Sequence, residues 1–212
     1  MREPTAQPAR LLVMLSGGGR TMLNLHDAIN RGELPAEIAL VIASRACAGE
    51  ERARDRDIPT RVVPGEIPAK ELAQIVREYA IDLVVLAGYL RLVHIPPELA
   101  GRVVNIHPAL LPRHGGRGMH GRHVHEAVLA AGDTETGCTI HLCTPEYDQG
   151  PILAQARCPV RPGDTPDTLA ARVFELECAT YPRAIAGLIA TLRAPDCGPR
   201  GSEREPNAPR EV

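Results

Sequence analysis

Aromatic residues are scarce in this 212-residue chain, which has no Trp, one Phe and four Tyr. Its core must therefore come from Leu, Val, Ile and Ala, and the shortage argues against stacked platforms for single-stranded nucleic acid. Charge of one sign is missing as well. With 24 Lys and Arg against 26 Asp and Glu, a net −2 leaves no basic footprint for nucleic acid or an anionic membrane surface. No apolar run approaches the ~20 residues of a membrane span, and "MREPTAQPAR" has no apolar signal core. The cytoplasm is the expected location. The six cysteines include no C-x-x-C pair, and Cys138 and Cys143 fall an odd number of residues apart, on opposite faces of any one strand. Neither a zinc site nor a disulfide framework is expected.

What the chain does have is alternation. Short Val/Ile/Leu runs ("RLLVML", "AEIALVIAS", "PTRVVP", "IDLVVLAG", "GRVVNIH") alternate with helical stretches ("TMLNLHDAINRG", "AGEERARDRD", "PAKELAQIVREYA"). This predicts an α/β fold with a mostly parallel central sheet and helices on both faces. Ligands of such sheets sit beyond the carboxyl ends of the strands, where "SGGGR", "LAGYLR" and "NIHP" all fall. Downstream, "HVHEAVLAAG" reads as a helix, and "TGCTIHLCT" and "PILAQARCPV" as alternating strands. The stretch 166–193 reads as a long helix with Thr165 as N-cap and a kink at Pro182. Residues 1–9 and 194–212 are expected to be disordered, flanking one domain over 10–193.

Four features carry chemistry. Asn105 and His107 lie two apart at the end of an apolar strand and point to one side, either as a polar terminus or as a functional pair. "SGGGR" opens a helix and is an anion cradle or a tight turn; it matches neither the dinucleotide fingerprint nor a P-loop. Asp148, in "PEYDQGPI", is a turn former or folds back onto His107, where its charge is expected to raise that histidine's pKa above the ordinary ~6.5. Five histidines crowd residues 107–125, but His123 and His125 diverge on a helix and no acidic pair lies close in sequence, so no metal is expected.

"NIHPALLP", followed by the "YDQGPI" turn, resembles the folate-dependent formyltransferases, and the likeness runs from Arg10 to Leu192. Among them it is most similar to the branch that formylates glycinamide ribonucleotide in de novo purine synthesis. The resemblance implies a Rossmann-like fold, a formyl donor, 10-formyltetrahydrofolate, and no metal. It implies that Asn105, His107 and Asp148 act on the formyl carbon, and that Leu90, Arg91, Leu92 and Val93 hold the pterin. Gly19, Arg20 and Thr21 would bind the acceptor's phosphate, and Glu177 its amine end. Small-molecule substrates and a monomer or weak homodimer complete the expectation, with neither nucleic acid nor membrane as partner.

This chain departs from the family pattern at several places. Gly18, Arg20 and Thr21 stand where Asn, Ser and Asn are usual; Phe174 replaces a polar acceptor-side residue; and "RHGGRGMHGRHVHEAV" lengthens a short linker. Another amine as acceptor, hydrolysis of the donor, and an inert nucleotide-binding regulatory module are the alternatives. Pro108 stands where the hydrolases carry another residue. The tRNA and sugar-amine branches need a further domain for which little chain remains.

Overall fold

The computed structural model describes residues 7–194. Seven strands form one sheet in the order β3-β2-β1-β4-β5-β6-β7. They are β1 (Ala9–Leu15), β2 (Ala36–Ala43), β3 (Thr60–Val62), β4 (Leu83–Leu86), β5 (Val103–His107), β6 (Glu135–Leu142) and β7 (Ile152–Pro159). The first five pair in parallel, while β6 and β7 run antiparallel. The sheet is thus mostly parallel, as the unbroken apolar runs require. Strand β1 begins at Ala9, one residue earlier than expected; the remainder of the expected disordered termini, apart from Gln7, Pro8 and Ala194, lies outside the described residues.

Strand alternation divides the core in two. Leu11, Val13 and Leu15 of β1 face one cluster, and Leu12 and Met14 face the other, all buried. Helices α1 (Arg20–Asn30) and α5 (Pro166–Arg193) cover the first face with Met22, Leu25, Val173 and Ile185. The second face is covered by α3 (Ala69–Glu78) through Leu72, Ile75 and Val76. The short α2 (Ala48–Arg54) adds Ala53 to the first cluster, and α4 (Arg122–Ala130) follows the lengthened linker. Burial of side chains on both sheet faces, at ~25 cal/mol per Å² of apolar surface, is the main driving term.

Two features fix α5 over the sheet. Thr165 and Thr168 form a reciprocal capping box, with Pro166 at the first helical position. The long helix expected here is observed, and it runs continuously through Pro182 to Arg193. Proline has no N–H to give the carbonyl four residues back. That carbonyl, Cys178 O, instead accepts from Asn24 Nδ2 of α1 at 3.1 Å. Beside it, the buried Tyr181 hydroxyl donates to the Leu86 and Val104 carbonyls at 2.9 and 3.1 Å, linking the helix to the ends of β4 and β5.

Candidate active site

The carboxyl rim of the parallel strands is held together by Ser16. Its backbone N–H donates to Gly88 O, and its hydroxyl accepts from Leu90 N and from the Ser44 hydroxyl at 2.9 and 2.7 Å. The loops after β1, β2 and β4 are thereby joined. At "SGGGR", the glycines serve close backbone approach. A Cβ on Gly19, which has φ +72°, would stand 2.6 Å from Gly49 Cα, and Gly49 N donates to Gly17 O at 2.9 Å. This tight turn leaves the first N–H groups of α1 without a side-chain cap or an acidic neighbour.

A cavity of about 740 Å³ opens over this rim, within the range of small-molecule sites. Asn105, His107 and Asp148 line it, as do Leu90, Arg91, Leu92 and Val93. Arg20, Thr21 and Glu177 line it too. Gly19 does not; it is buried behind the wall, against Gly49. Of the residues expected from sequence, then, all but Gly19 meet in one space, although they come from five separate segments.

His107 is 3% exposed, and both ring nitrogens have a partner. Its Nε2 lies 2.8 Å from the His114 carbonyl, which can only accept, so this nitrogen carries a proton. Titration therefore occurs at Nδ1, which stands 3.5 Å from Asp148 Oδ2. The sequence expectation, a pKa raised by the carboxylate, is corrected here. Burial penalises the imidazolium and outweighs the pull of Asp148 and the His114 carbonyl, with His141 and His114 also opposing the charge, so the pKa falls below its ordinary value. Asp148 moves down as well: burial alone would raise its pKa, but the neighbouring His141 and His107 imidazoles and the Gly116 N–H outweigh it.

His141 is outside the residues expected from sequence. It lies opposite Asn105 in the β5–β6 pairing, with Nε2 3.1 Å from Asn105 Nδ2 and 3.4 Å from Asp148 Oδ1. Its Nδ1 donates to the Leu142 carbonyl at 3.0 Å, so in the neutral ring Nε2 accepts one amide proton of Asn105. The second Asn105 N–H is left for the cavity. The only available signal was a buried imidazole in a strand of apolar and small residues, and it was silent without the register.

Asp148 has φ +56°, so it does shape its turn while also facing His107. Arg20 stacks on Phe174 with its guanidinium carbon 3.7 Å from the ring centroid. The carboxyl of half-buried Glu177 is pushed up to about 7 by burial, with Arg20 drawing it partly back. The Tyr89 hydroxyl, also in the cavity wall, is buried without a hydrogen-bond partner. Among the described residues, no group of three or more His, Cys, Asp and Glu is arranged to hold a metal ion, and no helix is long and apolar enough to cross a membrane.

The fold and sequence have relatives among known proteins. The chain is 39% identical over 191 residues to the chloroplastic phosphoribosylglycinamide formyltransferase of Arabidopsis thaliana. That match takes in 84% of this chain and 65% of the relative, so the chain spans just under two thirds of the plant protein's length. The crystal structure of phosphoribosylglycinamide formyltransferase from Brucella melitensis superposes with a TM-score of 0.75 at 38% identity, covering 86% of this chain and 96% of that one. A formyltetrahydrofolate deformylase from Pseudomonas syringae pv. tomato str. DC3000 shares the fold as well, with a TM-score of 0.74 and 27% identity over 89% of this chain and 62% of that one. The family model described as formyl transferase matches residues 9–185. From the first residue of β1 into the last helix, the chain belongs to the formyl transferase family.

Proposed function

We propose that the protein transfers the formyl group of 10-formyltetrahydrofolate to the amine of glycinamide ribonucleotide, a step of purine biosynthesis. The observation that carries the reading is the convergence of Asn105, His107 and Asp148 on the cavity that Arg20, Thr21 and Glu177 also line. The residues present fit a folate donor. Leu90, Leu92 and Val93 offer an apolar wall, and the unpartnered Tyr89 hydroxyl can bond to a polar ring edge.

In the reaction, the amine nitrogen bonds to the formyl carbon and the carbonyl oxygen becomes an oxyanion. The carbon–N10 bond then breaks, and the proton lost by the amine ends on N10. Asn105 donates its free N–H to the oxyanion, and His107 donates from Nδ1 once that nitrogen is protonated. Fixed donors of this kind contribute ~3–4 kcal/mol each. Burial leaves Nδ1 bare in the resting site, which makes it the base for the amine's proton. Growing negative charge on the oxyanion and the charge of Asp148 both favour the imidazolium that results. Neither a covalent nucleophile nor a Lewis acid is required by these steps.

Arg20, held over Phe174, is the acceptor's phosphate contact together with the free N–H groups at the start of α1, beside Thr21. Glu177 holds the acceptor's amine end. The test is a spectrophotometric assay with 10-formyltetrahydrofolate, with and without glycinamide ribonucleotide. Turnover is expected only when the acceptor is present. Equal folate cleavage without an amine would make the protein a hydrolase, and transfer to other amines alone would overturn the acceptor. No folate turnover under any condition would leave a binding module.

A further inference from the structure

The segment Arg113–Gly116 touches both partners of the central pair. The His114 carbonyl accepts from His107 Nε2 at 2.8 Å, and the Gly116 N–H donates to Asp148 Oδ2 at 2.9 Å. Between them, Gly115 lies so close to the carboxylate side chain that a Cβ there would stand 3.3 Å from Asp148 Cβ and 2.5 Å from Leu111 Cδ2. One short loop therefore sets the ring of His107 and the carboxylate of Asp148 relative to each other.

This loop is itself gripped from outside. His114 Nε2 lies 2.6 Å from Asp133 Oδ2, and Arg113 Nη1 donates to Asp133 Oδ1 at 2.9 Å. Asp133 sits in the turn between α4 and β6, and its side chain is only 14% exposed, as that of His114 is only 16%. His114 adopts φ +55°, a left-handed conformation unfavourable for a residue with a Cβ unless its surroundings hold it. None of Arg113, His114 and Asp133 lines the cavity. Their side-chain contacts are with one another.

We propose that Asp133 is a positioning residue, which through His114 and Arg113 holds the loop whose backbone fixes the orientation and tautomer of His107 and the place of Asp148. The proposal rests on the catalytic reading of His107 given above. Its logic is geometric. A carbonyl held in line with Nε2 allows only the Nε2–H tautomer in the neutral ring, leaving Nδ1 for proton transfer. Released from Asp133, His114 loses the contacts that keep it left-handed, its carbonyl turns, and the ring is free to flip or to move its proton to Nδ1.

The experiment compares Asp133→Ala and Asp133→Asn with the unmodified full chain and with His107→Ala. For each, kcat and both KM values are measured with 10-formyltetrahydrofolate and glycinamide ribonucleotide, and the His107 tautomer is read by ¹⁵N NMR of the ring nitrogens without substrate. Asp133→Ala is expected to lower kcat at least tenfold, to leave both KM values within about twofold, and to turn a pure Nε2–H signal into a mixture. Asp133→Asn, which keeps an acceptor oxygen for the loop, should recover part of the rate. If Asp133→Ala does not fold, His114→Gly replaces it, because glycine relieves the left-handed backbone while removing the imidazole grip, and the same kcat loss and mixed signal are expected. A lowered melting temperature with unchanged kcat and an unchanged tautomer would make Asp133 a structural residue only and overturn the proposal. Full activity in His107→Ala would instead overturn the catalytic reading, while the NMR result would still decide the positioning one.

Discussion

His107 and Asp148 face each other with 3.5 Å between Nδ1 and Oδ2, yet the imidazole's pKa lies below its ordinary value. Burial, which penalises the cation, outweighs the carboxylate that favours it. The resting pair is then a neutral ring beside a carboxylate rather than a cation already formed. On the proposed mechanism, charge developing in the reaction, not in the free protein, completes the donor.

It follows that Asp148→Asn should move the His107 titration further down. The amide keeps the shape but removes the negative charge that partly opposed burial, so the cation becomes harder to form. The acid limb of kcat at saturating substrates, which on the proposed mechanism reports loss of the bare Nδ1 free of the Glu177 effect on the acceptor KM, should shift to lower pH. The rate on the plateau should fall, because the imidazolium formed during transfer loses its counter-charge. An ¹⁵N titration of His107 and a pH–rate profile give the two readings, and an unmoved limb would mean that Asp148 only shapes its turn.

Arg20 and Phe174 should separate the two substrates. On the proposed reading, Arg20→Ala removes a charge-assisted phosphate contact worth ~1.5–3 kcal/mol and is expected to raise the acceptor KM accordingly, with the donor KM unchanged. Phe174→Ala leaves the guanidinium in place but removes the ring beneath it. A smaller rise is expected, in line with ~0.5–2 kcal/mol for a cation over an aromatic face. Steady-state kinetics with each substrate varied in turn test this, and equal losses for both would refute a phosphate-specific role.

Glu177 should give the acceptor KM a pH dependence of its own. Its carboxyl titrates at about 7, with burial raising it and Arg20 lowering it. The carboxylate that would hold the amine end is lost as pH falls through that value, so the acceptor KM should rise below it. Arg20→Ala takes away the lowering charge, and the limb should move to higher pH. Glu177→Gln should have no such limb; if it retains one, another group is titrating.

Acid should weaken the fold through its buried histidines. His107 and His125 both have pKa values lowered by burial, so the unfolded chain, with ordinary imidazoles near ~6.5, binds more protons. Their contribution to stability is complete above that unfolded value and is lost as pH falls through the folded values. Urea midpoints measured between pH 7.5 and 5 should drop less steeply for His125→Gln than for the unmodified chain. Taking the difference cancels the opposite contribution of Glu177, whose raised pKa favours the folded state in acid. Equal slopes would show that His125 gains no proton on unfolding.

The α/β architecture was legible from local chemistry. Unbroken Val/Ile/Leu runs declare strands buried on both faces; Gly32 and Gly132 end helices in a left-handed backbone that few other residues tolerate, and the Thr165-Pro166 pair starts one through a side-chain cap and a preset φ. Asn105 and His107 could be paired before any fold was known, because strand geometry sends alternate residues to one side, and the family resemblance joined Asp148 to them. Tertiary structure alone decided the rest. His141 reaches Asn105 only through the antiparallel register of β5 and β6, and Asp133 reaches His107 only through the His114 carbonyl. Such contacts join residues far apart in the chain and leave no periodic trace. The direction of the His107 pKa was hidden for a related reason: a neighbouring carboxylate can be guessed from sequence, but the depth of burial set against it belongs to the packed molecule.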